Sequence, residues 1–301
     1  MQELRTDLLT GEQVILATGR AMRPDTFRVH SSPLPAAVAG CPFCAGNEHE
    51  TPPEVMRVGA GQPETPGWLV RVVPNKYPLV GDGVSGSHDV VILSPAHHAG
   101  VGDLPGTDVQ AAFGALRDRA AFHLANGCVF AQPFVNHGKA AGASIEHPHA
   151  QLVALDFVTA RGAARVERFA ADGDLVLADI EASPVVRDGD AVVWCPHGAA
   201  TPFATRVAAR GAGPRFDQAS DAEIADVAAA THETVARLQT LLGDIAYNLV
   251  VETAPRDREP FHWWIDVIPR LTVAAGFELG AGTWANIVAP DAAAAALRGD
   301  G

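Results

Sequence analysis

Apolar and polar positions alternate in short runs along most of the chain, and two stretches switch to helical spacing. Phe130 to Asn136 is apolar with a β-branched residue, and Ala150 to Leu155 alternates small and apolar positions after a proline, so both read as strands. Val14 to Leu16 follows a Thr10-Gly11 turn, Trp68 to Val80 reads as a strand ending in a Pro-Asn-Lys turn, and Val90 to Leu93 is a further apolar run. Between Asp103 and Asn126, Val109, Phe113, Leu116, Ala120 and Leu124 recur at helical spacing while Asp118 and Arg119 face out, which predicts a helix packed on a sheet. A weaker repetition follows. Ala191 to Trp194 reads as a strand, Asp221 to Leu242 as an amphipathic helix capped by Ser220, and Tyr247 to Val251 and Phe261 to Ile268 as strands. Ala292 to Arg298 has the composition of a short terminal helix. Strand, helix, strand and histidine-bearing strand thus occur in the same order twice, which predicts an internal duplication. The expected fold is α+β: two related halves, each an antiparallel sheet with packed helices.

Composition narrows the function classes. A chain of 301 residues with 48% apolar and 19% charged positions is globular and long enough for two ordinary cores. The formal charge of −13 argues against sequence-independent nucleic-acid binding, which relies on a basic surface. An anionic small substrate would need a local pocket of arginines and backbone amides. No apolar run reaches membrane-span length and the N-terminal residues are polar, so the expectation is a cytoplasmic protein with no membrane partner. Two of the four cysteines form Cys41-Pro42-Phe43-Cys44, which suits a reducing compartment and a metal better than a disulfide framework. Such a knuckle is half of a tetrahedral zinc site; on spacing alone the other ligands could be His49, His88, His97, His98 or His147.

The densest chemistry lies between the first two strands, in FVNHGKAAGASIEHPHAQLVAL from Phe134 to Leu155. Pro148 fixes its own φ and suits a strand entry, and the period of two places residues 147, 149 and 151 on one face. Gly138 to Ser144 carries little side-chain bulk and several backbone N–H groups, a turn that can approach a phosphate closely. A neutral imidazole that attacks phosphorus, with Gln151 donating to a phosphoryl oxygen, is the covalent chemistry this pattern suits. The plainer reading is a pair of buried or metal-bound histidines.

These residues resemble the active-site motif of the galactose-1-phosphate uridylyltransferase family, in the histidine-triad superfamily. The resemblance implies two tandem histidine-triad-like halves, residues 1–160 with the zinc site and nucleophile and 161–301 as a degenerate copy completing the sugar-phosphate pocket. It implies His149 as the nucleophile, with Ser144 and Gln151 in the catalytic group, Gln151 favouring transfer over hydrolysis. Phe43, Asn75, Asn136 and Gly142 would bind the nucleotide, although asparagine favours turns in any case. Arg20 and Arg23, whose spacing alone suits a solvated pair, would face the sugar phosphate together with Phe277 and Glu278. Cys41, Cys44, His97 (or its neighbour His98) and His147 would hold a structural Zn2+. A second metal, bound in some members by a glutamate and three histidines, is not expected, because Glu252 and Trp264 stand at histidine positions beside His262.

The implied activity is ping-pong transfer of a nucleoside monophosphate, UMP first, between sugar 1-phosphates in galactose metabolism, in a homodimer resembling UDP-glucose–hexose-1-phosphate uridylyltransferase. The implied partners are a nucleoside diphosphate sugar and a sugar 1-phosphate. Near the expected sugar phosphate the lysine of some members is absent from Leu271-Thr272-Val273-Ala274-Ala275. The alternatives are an ADP-sugar or diadenosine tetraphosphate phosphorylase that uses inorganic phosphate, a nucleotide-sugar-binding protein without turnover, and a zinc hydrolase with an open metal position.

Overall fold

The computed structural model describes residues 2–19, 40–81, 83–97 and 100–300. Ten strands form one antiparallel sheet. The first half contributes β3 (Met56–Gly59), β4 (Trp68–Pro74), β5 (Gly86–Ile92), β6 (Phe130–His137) and β7 (His149–Leu155), and the second β8 (Val185–Arg187), β9 (Ala191–Trp194), β10 (Thr205–Ala209), β11 (Tyr247–Glu252) and β12 (Trp264–Pro269). Their order is β3-β4-β5-β7-β6-β11-β12-β10-β9-β8, which reads the same from either end once each strand is exchanged for its counterpart. Each half contributes five antiparallel strands, and the two sets join edge to edge. Phe134 pairs with Val250 and Asn136 with Asn248, so edge strands β6 and β11 close on each other and neither half leaves that edge open. A smaller sheet of β1 (Glu3–Thr6), β2 (Gln13–Leu16) and β13 (Thr283–Asn286) joins the two ends of the chain, β13 running parallel to β2.

The two predicted long helices are present as α1 (Gly106–Ala125) and α4 (Asp221–Leu242). At the head of α4 the Ser220 side chain accepts from the Glu223 N–H while the Glu223 carboxylate accepts from the Ser220 N–H, which satisfies two otherwise unpartnered donors. Both helices pack on the same face of the sheet and on each other; Phe113 and Leu116 of α1 and Val227 and Val235 of α4 share one core with Ala150, Leu152 and Ala154 of β7. Period-two alternation therefore turns His149, Gln151 and Val153 to the opposite face.

Besides the short α5 (Gly276–Ala281), helices α2 (Ala160–Asp172) and α3 (Leu175–Ala182) went unread in the sequence. Thr159 caps α2 and Asp174 caps α3, with Gly173 at φ 82° between them. Their apolar residues Phe169, Val176 and Ile180 pack with Trp194 and Trp264 over the second half of that opposite face. A final helix, α6 (Pro290–Arg298), begins on a proline and ends at Gly299, and a short α5 (Gly276–Ala281) precedes β13.

Candidate active site

His149 opens β7, opposite Ile92 of β5. Its Nδ1 lies 2.8 Å from the His147 carbonyl oxygen, which can only accept, so Nδ1 carries the proton and Nε2 keeps its lone pair. Burial pushes the His149 pKa below the usual histidine range, partly opposed by that carbonyl bond, so the ring is neutral near pH 7. The Phe43 ring meets it edge-on, with centroids 5.4 Å apart.

A cavity of about 590 Å³ stands in front of this ring. His149, Gln151 and Ser144 line it, as do Phe43, Asn75, Asn136 and Gly142, so one cavity brings together seven residues singled out from sequence. The turn that forms one wall depends on glycine. Gly138 has φ 78° and ψ 156°, a conformation open to little but glycine, and a Cβ there would stand 2.9 Å from the Ala246 Cβ. Gly142, at φ 88°, closes the same turn over Asn136.

Beside the cavity, Cys41, Cys44, His97 and His147 place one ligand atom each within 4.8 Å of one another. Cys44 Sγ is 3.1 Å from His97 Nδ1, and His147 Nδ1 is 3.2 Å from His97 Nδ1 and 3.8 Å from Cys41 Sγ. The His147 Nε2–H donates to the Ser94 carbonyl at 2.8 Å, which leaves Nδ1 as a lone pair directed at the cysteines. Burial and the adjacent Cys41 push the Cys44 thiol up to about 11, so a cation is what would hold both sulfurs as thiolates. This donor set can hold a metal ion, and it is the one such cluster among the described residues. His98, Arg20 and Arg23 lie outside the described residues.

Phe277 and Glu278 sit on α5, which buries no residue; the Glu278 carboxylate accepts from the Ala275 N–H at 2.9 Å, and neither residue lines the cavity. The second half supports the cavity through β11. Asn248 donates from Nδ2 to Asn136 Oδ1 at 2.7 Å and to the Ala141 carbonyl at 3.0 Å, and its own Oδ1 accepts from Arg270 Nε. Sequence reading missed this residue because the contact crosses the junction between halves. It also missed His88, weighed only as a metal ligand, whose Nε2 lies 2.9 Å from Gln151 Oε1. The available signal was parity: His88 and Val90 share a face of β5, and Val90 pairs with Gln151. Lys76, read as part of a turn, also lines the cavity.

The counterpart of this face in the second half is built differently. Phe134 pairs with both Gln151 and Val250, and Val250 with Asp266, so exchange of the halves carries Gln151 to Asp266 and His149 to Trp264. Asp266 accepts from Arg206 Nε at 2.9 Å, and the same buried guanidinium donates to Asp179 at 2.8 Å and to Asp7 at 2.7 Å. Those carboxylates hold the Arg206 pKa above its ordinary value against the opposing effect of burial. His262 is buried between Asp174, 3.0 Å from Nδ1, and the Ala209 carbonyl, 2.8 Å from Nε2.

Comparison with known proteins places this geometry. Residues 75–159 match the family of the galactose-1-phosphate uridyl transferase N-terminal domain. The ADP-glucose phosphorylase of Arabidopsis thaliana is 29% identical, over 98% of this chain and 92% of that protein. The crystal structure of an ADP-glucose phosphorylase from the same plant, with bound ADP-glucose, superposes with a TM-score of 0.87 at 28% identity, covering 99% of this chain and 98% of that one. A uridylyltransferase structure, at 24% identity and TM-score 0.74 over 99% of this chain and 98% of that one, shares the fold. The matched segment holds the histidine, glutamine and glycine turn that line the cavity, and over its whole length the chain is similar to an ADP-glucose phosphorylase.

Proposed function

We propose that the protein moves a nucleoside monophosphate from a nucleoside diphosphate sugar to a phosphate acceptor through a nucleotidyl-His149 intermediate, with an ADP-sugar as donor and inorganic phosphate as acceptor. The observation that carries the reading is the His149 Nδ1–H bond to the His147 carbonyl at 2.8 Å, which leaves Nε2 as a neutral nucleophile beside a cavity of nucleotide-sugar size. Nε2 attacks the α-phosphorus as the bond to the sugar 1-phosphate oxygen breaks. An oxygen of the acceptor phosphate then attacks the same phosphorus and restores the ring. Ser144 and the Gln151 amide would donate to the phosphoryl oxygens as charge builds on them, with Gly142 keeping the turn free of side-chain bulk beside them. Asn75, Asn136 and Phe43 would hold the nucleotide, and Arg20, Arg23, Phe277 and Glu278 remain the proposed sugar-phosphate group.

Full-length likeness to an ADP-glucose phosphorylase supports the choice of base and acceptor. The uridylyl reading, with a hexose 1-phosphate as acceptor in galactose metabolism, is the second one, favoured by the match of residues 75–159 to the uridyl transferase domain. For the metal we propose Zn2+. Two thiolates and two imidazoles are its preferred donors, and ligand atoms on a tetrahedral zinc stand roughly 3.3–3.8 Å apart, close to the separations found among Cys41, Cys44, His97 and His147. When bound, the ion would brace the entry to β7 through His147; every ligand position is filled by protein, so it serves structure. Residues 1–160 thus form the proposed catalytic half and 161–301 the supporting one, in a cytoplasmic homodimer. No described helix is long and apolar enough to cross a membrane.

Intact-protein mass spectrometry after brief incubation with ADP-glucose, and separately UDP-glucose, tests the reading. An AMP increment that is absent in His149→Ala and is discharged by inorganic phosphate is the expected result. A UMP increment discharged only by a hexose 1-phosphate selects the second reading, and no increment from either donor overturns both.

A further inference from the structure

His88 lies in β5 and is 5% exposed, and each nitrogen of its ring has an assigned task. Nδ1 is 3.1 Å from the Leu79 backbone nitrogen, whose N–H can only donate, so Nδ1 is an acceptor. Burial lowers the pKa of this ring, against smaller opposing effects from Gln151 and Asp89, which keeps it neutral. A neutral ring that accepts at Nδ1 carries its proton on Nε2, and that proton is donated to Gln151 Oε1 at 2.9 Å. The Asn75 amide nitrogen stands 3.2 Å from the same Nε2, donor against donor, while Asn75 Oδ1 accepts from the Tyr77 N–H at 2.8 Å. The tautomer is therefore set by the backbone at Leu79 and read out at Gln151.

The two ends of a carboxamide have nearly the same shape and opposite chemistry. With its NH₂ toward the cavity, Gln151 stabilises a phosphoryl oxygen; turned by half a rotation, it would present oxygen lone pairs to an anion and oppose the reaction. Nothing in the sequence distinguishes these orientations. We propose that His88 is a positioning residue that fixes the direction of the Gln151 carboxamide, so that its NH₂ and not its carbonyl meets the phosphoryl group during nucleotidyl transfer. This rests on the reading of His149 as the nucleotidylated residue. It also gives the 75–79 turn a second function: the Asn75 N–H donates to the His88 backbone carbonyl at 2.8 Å and the Leu79 N–H to its ring, so the cavity's edge and its phosphate donor are tied through one residue.

The bonds at Nδ1 and Nε2 can be separated by substitution. His88→Gln places an amide N–H near the position of Nε2, and His88→Asn places an amide oxygen near that of Nδ1; His88→Leu supplies neither. The rate of adduct formation in a single turnover with ADP-glucose should fall roughly tenfold in His88→Leu and in His88→Asn, the value of about one hydrogen bond, with KM changed less than threefold. His88→Gln should recover most of the rate, and in a Gln151→Ala background His88→Leu should cost nothing further. Equal losses in the Gln and Asn variants, additivity with Gln151→Ala, or a change confined to KM overturns the proposal. Nitrogen-resolved NMR of the free protein gives a readout that needs no turnover: the expected tautomer is Nε2–H, and Nδ1–H overturns the proposal whatever the substrate. Failure of the nucleotidyl reading shows instead as a wild-type protein that forms no adduct.

Discussion

Replacing Asn248 by leucine, close to it in size, removes the link between the second half and the cavity without opening a large void. Asn248 is 6% exposed and faces Asn136 across the β6–β11 junction. The substitution leaves the Ala141 carbonyl, in a residue 8% exposed, without its donor; a buried acceptor so stranded costs about 1–2 kcal/mol. Asn136 Oδ1 is partly open to water, so its loss adds about 0.5 kcal/mol, and Arg270 is exposed enough to turn to solvent at little cost. The sum, about 2 kcal/mol, corresponds to a drop in Tm of roughly 3 °C for a chain of this length. The loss in function should be larger than that in stability suggests. With Asn136 and the 138–142 turn no longer anchored, that wall of the cavity and the Ser144 that follows it lose their placement, and adduct formation should slow at least tenfold. Thermal melting and single-turnover mass spectrometry on one preparation measure both. An Asn248→Leu protein that melts with the wild type and forms the adduct at the wild-type rate would refute the claim that the second half supports the site through β11.

Gly138→Ala should cost about 1–3 kcal/mol, because alanine cannot readily adopt φ 78° with ψ 156° and its Cβ would meet Ala246; an unchanged denaturant midpoint would show that the turn tolerates a side chain. Removing the metal by chelation, or Cys44→Ser, should lower metal content and Tm together, with activity lost only as structure at the β7 entry is lost; rapid inhibition without a fall in Tm would point to a catalytic ion. His149 has a folded pKa below the ordinary 6.5, so the unfolded chain binds its proton first on acidification. This group contributes nothing to pH dependence above about pH 6.5 and costs stability progressively as pH falls from there toward its folded value, whereas the neutral nucleophile, and with it adduct formation, persists below 6.5. An acid limb of the rate profile centred above 6.5 would contradict that burial effect.

How much of this was legible depended on the reach of each interaction along the chain. The start of α4 was readable because its cap is a local contact, between Ser220 and Glu223. The histidines, glutamine and glycine turn were readable as one site because they lie within a single stretch, and strand parity sets their common face. Helices α2 and α3 were not, since Ala160 to Ala182 alternates short apolar groups with charges whose burial is decided by the tryptophans of the second half.

From the sequence alone came the α+β class, the two halves in matching order, the strand that presents His149 and the cysteine pair beside it, all consequences of period, caps and neighbouring residue types. Tertiary structure alone decided that the two halves share one sheet, that Arg206 and three aspartates are drawn together behind Trp264, that His97 and His147 meet the cysteines, and that His88 and Asn248 hold the amides of the cavity. Each of those is a hydrogen bond, a charge contact or a strand pairing between residues far apart in the chain. Its free energy depends on a distance and a direction that local pattern does not encode, and it is set only when the whole sheet has closed.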